Sequence, residues 1–138
     1  FAFYFDRRPE NTQSSVQFGG YDTGLAAEPL RWIYVTNSYL WSVPLDAIAV
    51  EGMRITSGRR AILDTGTSLI MGPAGMIDKI HKQLGAEFYG NALYTVACEH
   101  VDELPPISFI LNRQSFTLHP SDYILPIANR CFSVFSPL

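Results

Sequence analysis

One acidic residue in this sequence stands inside an apolar stretch and is followed at once by hydroxyl-bearing residues. Asp64 lies between Ile62-Leu63 and Leu69-Ile70, and Thr65-Gly66-Thr67-Ser68 completes the stretch. A carboxylate buried among apolar side chains is costly to desolvate unless hydrogen-bond donors support it. The residues that follow Asp64 can supply those donors. The pattern therefore predicts a buried carboxylate that is prepared for acid–base chemistry.

The tripeptide Asp-Thr-Gly occurs twice, and its context separates the two copies. Asp22-Thr23-Gly24 follows Gly19-Gly20-Tyr21, a turn-like setting in which an ionised aspartate needs no support. Asp64-Thr65-Gly66 has apolar pairs on both sides and two further hydroxyl groups after it. We therefore assign the chemistry to Asp64 and leave Asp22 outside the site.

Composition predicts one folded domain and excludes several kinds of partner. The chain has 138 residues, 47% of them apolar, which is enough for one core. The net charge is −3, and the basic residues form no run longer than the pairs Arg7-Arg8 and Arg59-Arg60. We expect no nucleic-acid partner. No apolar run approaches the roughly 18 residues that a membrane span needs.

Most of the predicted elements are strands. Thr36-Asn37-Ser38 separates two segments rich in aromatic and β-branched residues, Leu30–Val35 and Tyr39–Val50, and this arrangement predicts a hairpin. Gly52 and Ser57-Gly58 predict two short strands after it, the second ending at Asp64. The other predicted strands are 1–5, 16–18, 94–98, 107–111 and 115–118, with a loop over 6–15.

Two helical segments interrupt the strands. Met76, Ile77, Ile80 and Leu84 recur at helical spacing, and Gly85 is suited to end that helix. Pro120-Ser121-Asp122-Tyr123 predicts a single helical turn, because proline is tolerated at the first helical position.

Several motifs of this chain resemble the pepsin-like aspartic proteases, specifically the C-terminal one of their two lobes. Ala61–Pro73 is similar to that lobe's active-site loop, and Phe18-Gly19-Gly20-Tyr21-Asp22 is similar to its Phe-Gly-Gly-x-Asp turn. Further similar segments, in the family's order, are Leu30–Val35, Leu40-Trp41, Leu104–Phe109 and Leu118–Tyr123. The resemblance implies a mostly β fold over residues 1–138. It is one lobe of the bilobal pepsin-like acid protease fold, with one amphipathic helix and a short helical turn.

The resemblance also implies a role for each residue of the motif. Asp64 would be one of two catalytic aspartates, and Thr65 would hydrogen-bond to the partner loop. Gly66 would let substrate approach closely, Thr67 would hold the carboxylate and contact substrate, and Ser68 would contact substrate. Three further residues fall where the family lines its side-chain subsites: Leu40, Ile62 and Met71.

Cys98 and Cys131 are too far apart for a Cys-x-x-Cys motif, so by themselves they are either one disulfide or two free thiols. The resemblance implies the disulfide, and with it a secreted or lysosomal/vacuolar compartment. It also implies an N-terminal lobe that carries the second aspartate, a peptide or protein substrate and pepstatin-type inhibitors as partners, and neither a cofactor nor a metal.

The chain departs from the family's pattern in ways that predict a fragment. It carries one lobe, it ends before the family's Ile-Leu-Gly-Asp-type segment, and Thr56–Arg60 lacks the small disulfide loop that the family often has. We therefore expect a lobe that is incomplete at its C-terminal end and is active only with its missing partner.

Other interpretations stay open beside this one. A homodimer of the chain would supply two Asp-Thr-Gly loops, as in retroviral-type proteases, and an inactive relative would be a binding protein, or pseudoprotease. His81, His100 and His119 lack the spacing of a zinc site or a Ser-His-Asp triad. Arg59-Arg60 is expected to be a hairpin-loop pair rather than a processing site.

Overall fold

The computed structural model describes residues 1–6 and 13–138, so most of the predicted loop over 6–15 lies outside the described residues. These residues form two compact units, 1–32 and 33–138. The strands are β1 (Ala2–Tyr4), β2 (Ser15–Gln17), β3 (Ser42–Val50), β4 (Met53–Ile62), β5 (Ile70–Gly72), β6 (Glu87–Gly90), β7 (Leu93–Val96), β8 (Ile107–Leu111), β9 (Gln114–Leu118), β10 (Ile124–Ile127), β11 (Arg130–Ser133) and β12 (Phe135–Pro137). The helices are α1 (Ala74–Leu84) and α2 (Pro120–Tyr123), with short 3-10 helices at Thr23–Leu25 and Cys98–Glu103.

The first unit contains one small sheet. β1 pairs antiparallel with β2, and the 3-10 helix at Thr23–Leu25 follows. Asp22 caps this helix, because its side chain accepts a hydrogen bond from the Gly24 amide.

The second unit contains two four-stranded antiparallel sheets and one parallel strand pair. The first sheet has the order β4-β3-β8-β9, and the second has the order β10-β11-β7-β6. The parallel pair consists of β5 and β12, with Ile70 opposite Phe135.

The predicted hairpin between Leu30–Val35 and Tyr39–Val50 is wrong. Residues 30–41 contain no strand, and the Thr36 amide donates to the Ser42 carbonyl, which closes residues 37–41 into a loop. β3 is a central strand whose two edges are taken by β4 and β8. Glu51 and Gly52, both with positive φ, form the turn of the actual hairpin, as the twist of tight hairpins requires.

The predicted break at Ser57-Gly58 is also wrong, since β4 runs without interruption from Met53 to Ile62. Gly58 adopts a φ of +63° within the strand, which glycine tolerates and most residues do not. Arg59 and Arg60 consequently lie in β4, opposite Leu45 and Pro44, and not in a hairpin loop.

Both predicted helices are confirmed. Helix α1 ends at Gly85, whose φ of +63° is left-handed and whose amide donates to the His81 carbonyl. The buried face of α1 is formed by Ile77, Ile80, His81 and Leu84. It packs against a core to which Tyr123 and Phe135 contribute the largest fully buried side chains.

The predicted disulfide between Cys98 and Cys131 is confirmed, with a Cα–Cα distance of 5.4 Å. It ties the Cys98–Glu103 helix to β11. Strands β6, β10 and β11 were not predicted, although they form three quarters of the second sheet of this unit.

Removing the disulfide should destabilise this unit substantially. The two cysteines are 33 residues apart, and the chain-entropy model assigns such a crosslink about 3 to 4 kcal/mol of unfolding free energy. We expect the Cys98→Ser/Cys131→Ser variant to show a correspondingly lower denaturant midpoint. Reduction of the unmodified chain serves as the matched comparison, and an unchanged midpoint in both would contradict the prediction.

Candidate active site

The candidate site lies in the loop between β4 and β5, residues 63–69, here called the Asp64 loop. Its first residue is held by a hydrogen bond of 2.9 Å from the Leu63 amide to the Trp41 carbonyl. At its other end the Ile70 amide donates to the Val134 carbonyl, also at 2.9 Å. Both ends of the loop are therefore fixed to strands or segments that are distant in sequence.

Both oxygens of the Asp64 carboxylate accept hydrogen bonds from within the loop. Oδ1 accepts from the Gly66 amide at 2.9 Å, and Oδ2 accepts from the Thr67 hydroxyl at 2.5 Å. The Thr67 hydroxyl, followed by the Gly66 amide, lowers the pKa of Asp64 below its ordinary value of 3.8. The arrangement thus favours the ionised carboxylate.

The prediction that Asp64 is buried is wrong for this chain. Asp64 and the residues from Thr65 to Ser68 are exposed, and the preceding Ile62 and Leu63 are 56% and 54% exposed. The apolar side chains before the aspartate lie on the surface, so they do not enclose the carboxylate. Its support comes from donors two and three residues away.

Asp22 and Asp64 adopt the same local turn and differ in one donor. Asp22 Oδ1 accepts from the Gly24 amide at 2.8 Å, which matches the Gly66 bond to Asp64. Three residues after Asp64 stands Thr67, whose hydroxyl reaches the second oxygen, whereas three residues after Asp22 stands Leu25, which has no side-chain donor. The second bond is what distinguishes the two carboxylates.

The other predicted site residues are exposed around the loop. Thr65, Gly66 and Ser68 lie in the Asp64 loop itself, and Ile62 and Met71 flank its two ends. Leu40 precedes Trp41 in a separate segment, where residues 35–41 line an open depression of about 570 Å³. The Asp64 loop does not contribute to that depression. Sequence reasoning missed the Trp41 carbonyl, since a backbone acceptor leaves no signal in residue type.

The histidines form no metal site within residues 1–6 and 13–138, where no cluster of three potential ligands occurs. His81 lies on the buried face of α1, and His100 Nδ1 lies 3.0 Å from the Glu103 carboxylate on an exposed helix. His119 precedes α2, and its amide donates to the Asp122 carboxylate at 2.9 Å.

Comparison with known proteins identifies the family. A profile described as eukaryotic aspartyl protease matches residues 1–137. The chain belongs to this family, and its fold is one lobe of the pepsin-like architecture, as predicted.

Several curated proteins are similar to this chain over most of its length. Cathepsin E of Mus musculus is 40% identical over 129 residues, which cover 91% of this chain and 32% of that protein. Pregnancy-associated glycoprotein 2 of Bos taurus is 39% identical over 138 residues (98% and 36%), and pepsin A of Sus scrofa is 35% identical over 128 residues (91% and 33%). The chain thus spans about a third of the length of the curated relatives it matches.

The expected secreted or lysosomal/vacuolar compartment agrees with these findings. The relatives also include probable vacuolar protease A of Trichophyton verrucosum, 37% identical over 137 residues. The disulfide fits an oxidising compartment. Within the part of the chain that the structure describes, no helix is long and apolar enough to cross a membrane.

Removing the Thr67 hydroxyl should raise the pKa of Asp64. Thr67→Val preserves shape but deletes the largest contribution that lowers this pKa, while Thr67→Ser keeps the donor. We expect an NMR titration of the Asp64 side-chain carboxyl carbon to give a higher pKa in Thr67→Val than in the unmodified chain. Thr67→Ser should give the same pKa as the unmodified chain. An Asp64 pKa indifferent to Thr67→Val would contradict the assignment.

Proposed function

We propose that residues 1–138 belong to the C-terminal lobe of a pepsin-like aspartic endopeptidase, in which Asp64 is one of two catalytic aspartates. The observation that carries the proposal is the doubly supported carboxylate on an exposed loop. Membership of the aspartyl protease family supports the reaction class. In this proposal the second aspartate comes from an N-terminal lobe, either of the same precursor or of a companion chain.

The exposure of Asp64 suits a shared catalytic centre. A second carboxyl group placed against it would share one proton with it, because two adjacent carboxylates cannot both ionise readily. The donors of Thr67 and Gly66 favour ionisation of Asp64. In this proposal Asp64 acts as the general base when its partner carries the shared proton.

The proposed reaction is hydrolysis of a peptide bond by an activated water. Asp64 takes a proton from the water as its oxygen attacks the scissile carbonyl carbon. The protonated partner carboxyl group stabilises the developing charge on the carbonyl oxygen. The carbon–nitrogen bond then breaks as the leaving nitrogen receives a proton from the carboxyl pair.

Substrate would lie along the Asp64 loop. We assign contacts with the substrate backbone to Gly66, Thr67 and Ser68, whose exposure leaves them accessible. Ile62, Met71 and Leu40 present exposed apolar side chains that suit bulky apolar substrate residues. Pepstatin-type inhibitors would occupy the same surface.

The proposal predicts that activity requires a second lobe. The chain is assayed at acidic pH alone and after fusion to the N-terminal lobe of its own precursor, with a peptide that joins two bulky apolar residues. We expect pepstatin-sensitive cleavage only from the fusion. Cleavage by the chain alone as a dimer would support the retroviral-type arrangement, and an inactive but folded fusion would support a pseudoprotease; either result overturns the proposal.

Within the active fusion, Asp64→Asn should lower kcat by about 10²- to 10⁴-fold, the usual contribution of a positioned acid or base. Asp22→Asn is the matched control, because Asp22 occupies the same turn without the Thr67-type bond. We expect this control to retain activity. Equal losses in both variants would show that the substitutions act on folding and not on catalysis.

A further inference from the structure

Helix α1 buries a histidine in a polar contact that the proposed reaction does not use. His81 is 2% exposed, and its Nε2 lies 3.0 Å from the Ser133 hydroxyl on β11. Its ring stacks on Tyr94 of β7, with ring centroids 3.7 Å apart. Its Nδ1 is buried and has no hydrogen-bond partner among the described residues.

This geometry suits the neutral form of the ring, because a protonated ring would bury an Nδ1–H group that has no acceptor. Nε2 and the Ser133 hydroxyl share one hydrogen bond, whose direction depends on the tautomer of the ring. The Ser133 oxygen also accepts from the Phe135 amide at 3.2 Å. The Ser133 hydroxyl thus links α1 to the first residue of β12.

The same segment is bonded directly to the end of the Asp64 loop. Val134, which lies between Ser133 and β12, accepts the Ile70 amide at 2.9 Å and donates to the Tyr123 carbonyl at 3.0 Å. β12 then runs parallel to β5. The path from His81 to the Asp64 loop therefore passes through two residues of one tight connection.

We infer that neutral His81, through Ser133, is a positioning residue for the Asp64 loop, and that protonation of its ring in acid weakens this support, because it places a positive charge and an unpartnered Nδ1–H group in a buried site although Nε2 can still donate to Ser133. The inference rests on the proposed function for its catalytic consequence. The structural part of the inference concerns only the connection between β11 and β12 and the strand β5, which is bonded to that connection.

The surroundings of His81 offer little compensation for a positive charge. Among the described residues, Asp78 on the same helix is the acidic residue that raises the pKa of His81, and its effect is smaller than that of burial. Of the other elements packed here, β5 and β12 carry no titratable side chain and β7 carries the Tyr94 phenol. The charged residues of β4 and β11 are exposed arginines: Arg54, Arg59, Arg60 and Arg130.

The direction of the pH dependence follows from burial. Desolvation lowers the pKa of His81 from 6.5 to about 4, against the opposing effect of Asp78. Between these values the unfolded chain binds a proton that the folded chain does not, so stability falls as pH falls. The contribution of neutral His81 to the free energy of unfolding is complete above pH 6.5 and is lost by about pH 4. At most, the unfolding constant rises about tenfold per pH unit in this window.

The test measures unfolding of the unmodified chain, His81→Gln, His81→Phe and the control His100→Gln by denaturant between pH 7 and 4. Neither substituted side chain at position 81 titrates, and glutamine keeps a donor for Ser133. We expect both variants to lose the His81 part of the pH slope and His100→Gln to retain it. An unchanged slope in the His81 variants, or an imidazole NMR titration of the unmodified chain that places His81 near 6.5, would overturn the inference.

Positioning is tested separately by amide hydrogen exchange of Ile70. Ser133→Ala should accelerate this exchange by about fivefold, which corresponds to the loss of one ordinary hydrogen bond.

In the active fusion, His81→Gln should keep a higher kcat than the unmodified protein near pH 4, with KM unchanged. The exchange and unfolding measurements need no catalysis, so an inactive fusion would refute the proposed function alone. Unchanged Ile70 exchange in Ser133→Ala would refute the positioning role alone.

Discussion

The pairing of β5 with β12 is the constraint on which the position of the Asp64 loop depends. The loop's own hydrogen bonds shape the carboxylate but do not fix where it stands. Ile70 and Gly72 are bonded to Val134 and Leu138, more than sixty residues away in sequence. A parallel pair needs a long crossover, and here the crossover contains α1, the 3-10 helix at Cys98–Glu103, α2 and all four strands of the second sheet. The core around Phe135 must therefore form before the loop has a fixed place.

Local signals in the sequence predicted the elements whose stability is local. The apolar stripe and Gly85 defined α1, and Pro120 defined the start of α2. Strands β8 and β9 were predicted at the correct place, on either side of a turn in which Asn112 and Arg113 adopt positive φ. Strands β6, β10 and β11 have only four residues each, so their residues carry little pattern of their own. β6 and β10 form local hairpins with β7 and β11, and within this sheet only the pairing of β11 with β7 joins distant segments.

The candidate site was also predictable only in part. The carboxylate and its neighbouring donors were identifiable because they lie within four consecutive residues. The exposure of the carboxylate could not be predicted, because residue type alone does not show whether an apolar side chain enters the core or stays on the surface. Ile55 of β4 is buried, whereas Ile62 of the same strand is exposed. Distinguishing the two requires the sheet register, which the wrong hairpin obscured.

The exposed apolar side chains beside the Asp64 loop also affect how the isolated chain behaves in solution. Trp41, Ile62, Leu63 and Met71 all present surface to water, and such patches favour association. The net charge is only −3 at neutral pH and vanishes near the isoelectric point of about 5.5. Electrostatic repulsion between copies is therefore weakest in mildly acidic solution. The isolated chain is therefore most prone to aggregate in mildly acidic solution. Aggregation would be avoided if another part of the protein covered this apolar surface before the pH fell to that range.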